Sequence, residues 1–215
     1  MDSEINTEIN GVKRTPVWAQ LVSDVFSPLL VPTFAIVVAM WCTDLRNIPE
    51  YNRVIATAMV ALITGAMPLL TIFGLIKLKR VDSTAIPKAS QRFVPMAVGI
   101  TCYVLTAVLM RRLGAPSWLT FFFVGAAAAA FVAALITTVW KISAHATGIG
   151  GLLGLTAWCS VYGLVDINAM IVLTTVILIT GLVGTARLML ERHTLGQVIA
   201  GYALGFAAAF GFMYL

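Results

Sequence analysis

Charged residues are scarce in this chain. Lys, Arg, Asp and Glu together make up 11% of its 215 residues, whereas hydrophobic residues make up 60%. The mean hydropathy is +0.96, and the longest polar stretch is the N-terminal segment, residues 1–16. So little polar sequence excludes a separate soluble domain. We therefore predict an integral membrane protein in which residues 17–215 form a single transmembrane domain.

The polar N-terminal segment lacks the features of a signal peptide. Residues 1–16 carry both acidic and basic side chains, whereas a signal peptide begins with a short basic region. The apolar run that follows is also too long for the apolar part of a signal peptide, and no small-residue cleavage site is evident. We therefore expect this run to be retained as a membrane helix.

Cysteine is rare as well. The three cysteines, Cys42, Cys102 and Cys159, lie inside or at the edge of apolar runs. An odd number at such positions argues against a disulfide framework and against a cysteine-bound metal. The net charge of +5 suits anionic lipid head groups but fits ordinary positive-inside bias equally well. The expected partners are membrane lipids, and no nucleic-acid partner is predicted.

Long apolar segments fill the rest of the chain. In lipid every backbone polar group must be satisfied within the protein, and these continuous runs lack the alternation of barrel strands. We therefore predict an all-α, polytopic transmembrane bundle of about six to seven membrane helices, of which the third is marginal in length. The seven candidate segments are residues 17–42, 54–76, 93–110, 118–140, 146–165, 169–186 and 195–215.

Polar clusters follow the second, fourth and sixth of these segments. Because alternate segment ends return to the same side of a bilayer, all three clusters are expected on the side that holds the N-terminus. The opposite side receives Arg46, Arg53, Arg111 and Arg112. Because the three clusters are expected on the same side of the bilayer, we predict that they form one shared site. The three clusters contain Lys77, Lys79, Arg80, Asp82, Lys88 and Arg92; Lys141, Ser143 and His145; and Arg187, Glu191, Arg192 and His193.

Small residues four apart occur late in the chain. Gly150 and Gly154 form one such pair, and Gly201 and Gly205 form another. Small residues at this spacing let the backbones of two helices approach closely. We interpret both pairs as packing devices.

Histidine occurs twice, and both residues stand in the polar clusters. His145 and His193 each have fixed cations as neighbours in the sequence. Lysine and arginine bind phosphate oxygens, a neutral imidazole can attack phosphorus, and a second imidazole can protonate the leaving oxygen. Among the carboxylates, Asp82 and Glu191 are near these clusters, too few to hold a divalent metal. Two histidines beside several cations, with few carboxylates, favour phosphoryl transfer without a metal or other cofactor.

Several of these residues also fit a structural interpretation. Thr194 and Gln197 have the spacing of a helix capping box, which is compatible with Gln197 also contacting His193 one turn away. Lys141 and Arg192 suit either anchoring at the head groups or substrate contact. Glu191 lies four residues after Arg187 and could simply pair with it.

At these residues the chain resembles the type 2 phosphatidic acid phosphatases, membrane enzymes that act on lipid phosphates and pyrophosphates. The third motif of that family is Ser-Arg-x5-His-x3-Asp. Here Arg187, His193 and Gln197 occupy the same spacing, with Ala186 in place of the serine and Gln197 in place of the aspartate. The resemblance covers roughly residues 85 to 205.

The other two motifs are matched less closely. The second, Pro-Ser-Gly-His, corresponds to residues 142–145, in which Ser143 and His145 are retained. The first, Lys-x6-Arg-Pro, corresponds loosely to Lys88 and Arg92, with Pro95 three residues further on. The order of the motifs and their shared side of the membrane strengthen the resemblance beyond any single motif.

The resemblance implies a role for each matched residue. His193 is expected to be the nucleophile that becomes phosphohistidine, and His145 the general acid for the leaving alcohol. Gln197 stands where the family has the carboxylate that orients the nucleophile, and an amide cannot stabilise a positive imidazole as a carboxylate does. The implied phosphate-binding residues are Lys88, Arg92, Ser143 and Arg187.

The implied activity is metal-independent hydrolysis of a lipid phosphomonoester or pyrophosphate. The alternative is a lipid-phosphate transferase, or a non-hydrolytic lipid-phosphate binder or transporter, on the same scaffold, because binding requires the cations but not both histidines. The resemblance favours a bacterial plasma (inner) membrane with the site on its outer face. The distribution of Lys and Arg favours the cytoplasmic face, and the two orientations stay open.

Overall fold

The computed structural model describes residues 16–80 and 93–215, and this part of the chain is almost entirely helical. The β-pairing in these residues amounts to an isolated bridge between Thr43 and Val165. The prediction of an all-α fold is therefore confirmed. The helices are α1 Val17–Val25, α2 Val31–Cys42, α3 Glu50–Val60, α4 Met67–Lys77, α5 Phe93–Arg112, α6 Ser117–Thr137, α7 Ala144–Val161, α8 Ala169–Met189 and α9 Leu195–Phe212.

Five helices in the described part of the chain are long and apolar enough to cross a membrane. The first consists of α3 and α4, which join through the π-helical segment Ala61–Ala66 into one helix, Glu50–Lys77. The others are α5, α6, α8 and α9. The protein is thus an integral membrane protein. Six of the seven segments expected from the sequence correspond to these five helices and α7, with ends that differ by a few residues.

The first apolar segment forms two helices, not the single retained helix expected from the sequence. Residues 26–30 separate α1 from α2 and contain Ser27 and Pro28. Proline lacks a backbone N–H and disfavours helical backbone at the residue before it, so the helix ends there. The nine residues of α1 reach about 14 Å, far less than the roughly 30 Å of a hydrocarbon core.

The centre of the bundle is the contact between α7 and α9, the most extensively packed helix pair among those described. A Cβ atom added at Gly150 would come within 2.5 Å of the Tyr202 carbonyl oxygen, and one at Gly201 within 2.8 Å of the Ser143 carbonyl oxygen. Both glycines therefore allow an approach that alanine would prevent. The predicted packing role of these glycines is confirmed, and the close contact fixes the beginning of α9 against the beginning of α7.

Polar contacts join the loop after α2 to the loop after α7. Arg46 forms an ion pair with Asp166, with Nε and Oδ2 3.0 Å apart. The backbone N–H of Asp44 donates to the Leu164 carbonyl, and that of Asp166 donates to the Cys42 carbonyl. These contacts join the ends of α2 and α7, as expected for the side opposite the histidines.

Candidate functional site

The turn after α8 places His193. The Arg192 N–H donates to the Arg187 carbonyl, and the Glu191 N–H donates to the Leu188 carbonyl. Glu191 has a φ of 51°, the left-handed conformation that commonly ends a helix and that glycine adopts most easily. The chain reverses within this turn, so that His193 precedes α9 by a single residue, Thr194.

The side chain of His193 is oriented by Gln197. His193 Nδ1 lies 3.1 Å from Gln197 Oε1, and the same oxygen accepts the backbone N–H of Thr194 at 3.2 Å. The Gln197 oxygen is an acceptor, so this contact favours the neutral tautomer of His193 with its proton on Nδ1. The lone pair then lies on Nε2. Gln197 thus completes the capping box of α9 and orients His193 at once, so both interpretations of this residue hold.

A surface pocket of about 430 Å³, lined mostly by polar residues, opens beside His193. Two cationic residues line it, Lys141 and Arg192, and Lys141 Nζ donates to the Arg192 carbonyl oxygen at 2.9 Å. This contact brings the α6–α7 loop to the turn after α8. The pocket is also lined by Leu188, Glu191, Thr194 and Gln197.

The pKa of His193 is lowered from 6.5 to about 4, and the largest cause is partial burial. The charges of Arg187 and Lys141 contribute to this lowering, while the hydrogen bonds to Gln197 and to the Lys141 backbone carbonyl oppose it. The folded protein therefore binds fewer protons at His193 than the unfolded chain between about pH 4 and pH 6.5. This residue destabilises the fold as the pH falls through that window, and its imidazole is neutral at pH 7.

This pKa can be measured directly, because the chain has only two histidines. With ¹³C-labelled histidine, we expect the His193 signal to titrate with a midpoint near pH 4, after assignment with the His145→Gln variant. A peptide of residues 187–198 serves as the control and should titrate near pH 6.5. A midpoint of 6 to 7 in the folded protein would contradict the buried, neutral imidazole.

Ser143 connects the beginnings of α7 and α9. It is the N-cap of α7, where its hydroxyl accepts the Ala146 N–H, and its own N–H donates to the Gln197 carbonyl at 3.3 Å. Its side chain is fully buried. The structure thus gives Ser143 a capping role worth about 1 kcal/mol, while its phosphate contact stays a prediction.

His145 and Arg187 meet at Ser23, a residue of α1 that the sequence did not single out. His145 Nε2 lies 3.1 Å from the Ser23 carbonyl oxygen, and Arg187 Nη1 donates to the Ser23 hydroxyl at 2.6 Å. Ser23 is buried, with 2% of its surface exposed. The structure therefore brings His145 and Arg187 together, and Arg187 is close enough to His193 to lower its pKa.

Two of the expected phosphate-binding residues, Lys88 and Arg92, fall outside the described residues. Asp24, the acidic residue in the first apolar segment, is exposed on α1 and accepts the Gln20 side-chain amide at 2.8 Å. Among the described residues, no group of three or more His, Cys, Asp or Glu side chains could hold a metal ion.

An apolar cavity of about 190 Å³ lies inside the bundle. Its wall includes Ala144 and Thr147 of the first turn of α7, next to His145, and extends to Ala130 on α6 and to Thr64 on the π-helical segment. The hydroxyls of Thr64 and Thr147 donate to carbonyls of their own helices. The threonine hydroxyls that line this cavity are therefore already satisfied, and the space suits hydrocarbon.

Comparisons of the chain with protein-family models, curated proteins and solved structures find no match.

Proposed function

We propose that this protein is a membrane phosphatase that hydrolyses a lipid phosphomonoester or pyrophosphate through a phosphohistidine intermediate. The observation that carries the proposal is the contact between His193 Nδ1 and Gln197 Oε1, which favours a neutral imidazole with its proton on Nδ1 and its lone pair on Nε2. A neutral imidazole of fixed tautomer beside fixed cations has the properties needed to attack phosphorus.

The reaction proceeds in two steps in this proposal. In the first, the Nε2 lone pair of His193 attacks phosphorus, the P–O bond to the leaving group breaks, and His145, in its positively charged form, gives the proton on Nδ1 to the leaving oxygen. In the second, water attacks the phosphohistidine, His145 takes a proton from that water, and the P–N bond breaks. Inorganic phosphate leaves, and both imidazoles return to their starting state.

The cations hold the phosphoryl group during both steps. Arg187 carries a planar guanidinium whose N–H groups match the spacing of phosphate oxygens. Its Nε is buried and makes no hydrogen bond within the described part of the chain, and we propose that a phosphoryl oxygen is the partner of this N–H. Lys88 and Arg92 are the other cations proposed for this role, from the sequence resemblance.

The apolar cavity supports a lipid as the substrate. Its lining includes Ala144 and Thr147, which flank His145 in the sequence, and in this proposal the alcohol part of the phosphate ester extends into it. A hydrocarbon chain in this space would contact mainly proline, alanine and glycine. Burial of apolar surface adds about 25 cal/mol per Å², which favours a long-chain lipid over a soluble phosphate ester.

We expect phosphate release from lipid phosphates to continue in excess chelator. The proposed chemistry uses two imidazoles and fixed cations, none of which needs a metal. The measurement is phosphate release by the purified protein, with and without EDTA, from phosphatidic acid, phosphatidylglycerol phosphate, a polyprenyl pyrophosphate and a glycolipid phosphate. Each substrate is paired with a short-chain analogue of the same head group, and the long-chain member should have the higher kcat/KM.

The His193→Ala protein, prepared in the same way, is the control for contaminating phosphatases. Complete loss of activity in EDTA, with recovery on adding Mg²⁺ or Zn²⁺, would contradict the metal-free mechanism. Binding of lipid phosphates without any release of phosphate would favour a non-hydrolytic binder or transporter instead.

A further inference from the structure

Ser23 contacts two proposed site residues that come from different helices. Its hydroxyl accepts Arg187 Nη1 at 2.6 Å, and its carbonyl oxygen lies 3.1 Å from His145 Nε2. We propose that Ser23 is a positioning residue of the active site, which aims the Arg187 guanidinium at the phosphoryl group and fixes the ring of His145. The inference rests on the proposed function.

The contact between Ser23 and Arg187 involves Nη1 and leaves the Nε–H of the guanidinium without a partner in the described part of the chain. Nη1 is bound to the Ser23 hydroxyl, while Nε is buried and without a hydrogen bond in the described part of the chain. The guanidinium is planar, so holding Nη1 also fixes the direction of the Nε–H. Without the Ser23 hydroxyl the same side chain could rotate, and a phosphate would have to order it on binding.

The contact with His145 decides where the imidazole proton is held. A carbonyl oxygen can only accept, so Nε2 carries a proton, and in this proposal the proton given to the substrate comes from Nδ1, the second ring nitrogen. When Nδ1 is protonated to act as a general acid, the ring is positive, and a carbonyl acceptor stabilises that form. Ser23 therefore supports His145 through its backbone and Arg187 through its side chain.

The packing of α1 holds Ser23 in this position. Ala19, one turn before Ser23, is fully buried and packs in a cluster with Ala186 and Leu190 of the α8 end. Ala186 is the residue directly before Arg187, and its side chain offers no hydroxyl. In this chain the hydroxyl beside Arg187 comes instead from α1, a helix distant in sequence.

The test is the Ser23→Ala variant, which removes the hydroxyl and keeps the carbonyl. We expect KM for a lipid phosphate, and the dissociation constant of inorganic phosphate, to rise roughly tenfold to a hundredfold, the range for loss of a hydrogen bond to a charged group. The value of kcat should change less, because His145 and His193 keep their contacts. Ser23→Thr should restore most of the affinity.

The matched control is Ser27→Ala, a serine of the turn after α1 whose hydroxyl accepts the Leu29 N–H. A double-mutant cycle adds a second control: in an Arg187→Ala background, Ser23→Ala should cause little further loss. An equal loss in that background, or no rescue by threonine, would show that Ser23 serves only the packing of α1 and would overturn the proposal.

The phosphate-binding measurement separates this proposal from the proposed function. Wild-type protein that binds inorganic phosphate but hydrolyses no lipid phosphate would contradict the proposed phosphatase activity. The positioning role of Ser23 would still be tested by the dissociation constant of inorganic phosphate. Unchanged or tighter phosphate binding by Ser23→Ala would contradict the positioning role, whatever the activity.

Discussion

The His193→Ala variant should release no measurable phosphate from any lipid phosphate, a loss of about six orders of magnitude if removing this nucleophile costs as much as removing one from a serine protease. The expectation follows from the oriented imidazole, because no other described side chain offers a neutral nitrogen in that place. The loss should be the same for good and poor leaving groups, since the nucleophile is needed for both. The measurement is phosphate release under saturating substrate.

The variant must be shown to be folded, since His193 lies at the beginning of α9. Thermal unfolding in detergent provides that control, because Thr194 and Gln197 keep the capping box. Added imidazole should restore part of the activity by occupying the space left by the side chain. A folded His193→Ala protein with turnover near that of the wild type would refute the phosphohistidine mechanism.

The His145→Ala variant should lose about two to four orders of magnitude in kcat on lipid phosphates, the usual contribution of general acid catalysis. An alcohol leaves poorly without a proton, whereas a nitrophenolate leaves readily. The loss should therefore shrink when p-nitrophenyl phosphate replaces the lipid. Parallel assays of both substrates with wild type and variant give the comparison.

His145→Gln is the matched control for this prediction. Its amide N–H can still donate to the Ser23 carbonyl, which His145→Ala would leave unpaired in a buried position. Glutamine cannot donate a proton as an acid, so both variants should show the same dependence on the leaving group. Equal losses on the lipid and on the aryl phosphate would instead indicate a structural role for His145.

Hydropathy was sufficient to predict most of the fold. Continuous apolar runs of about 20 residues predict helices because lipid offers no other partner for the backbone, and α5, α6, α8 and α9 lie where expected. The break at Ser27 and Pro28 was missed because the apolar run continues through it, although proline itself signals a helix end. The π-helical segment Ala61–Ala66 has no comparable signal in the sequence.

The candidate site was predicted where its contacts are local and missed where they are distant. His193 and Gln197 are one helical turn apart, so their contact follows from spacing. The capping contact of Ser143 is also local, because its hydroxyl accepts the Ala146 N–H three residues further along the chain. Ser23 is 122 residues from His145 and 164 from Arg187, and only the packing of α1 on α8 brings them together.

The stereochemical course at phosphorus tests the phosphohistidine most directly. The substrate is a lipid thiophosphate made chiral with oxygen isotopes, and the configuration of the released thiophosphate is compared with that of the starting ester. Transfer to His193 and then to water involves two in-line displacements, and each inverts phosphorus, so we predict net retention. Net inversion would mean that water attacks the lipid phosphate directly, and it would contradict a covalent role for His193.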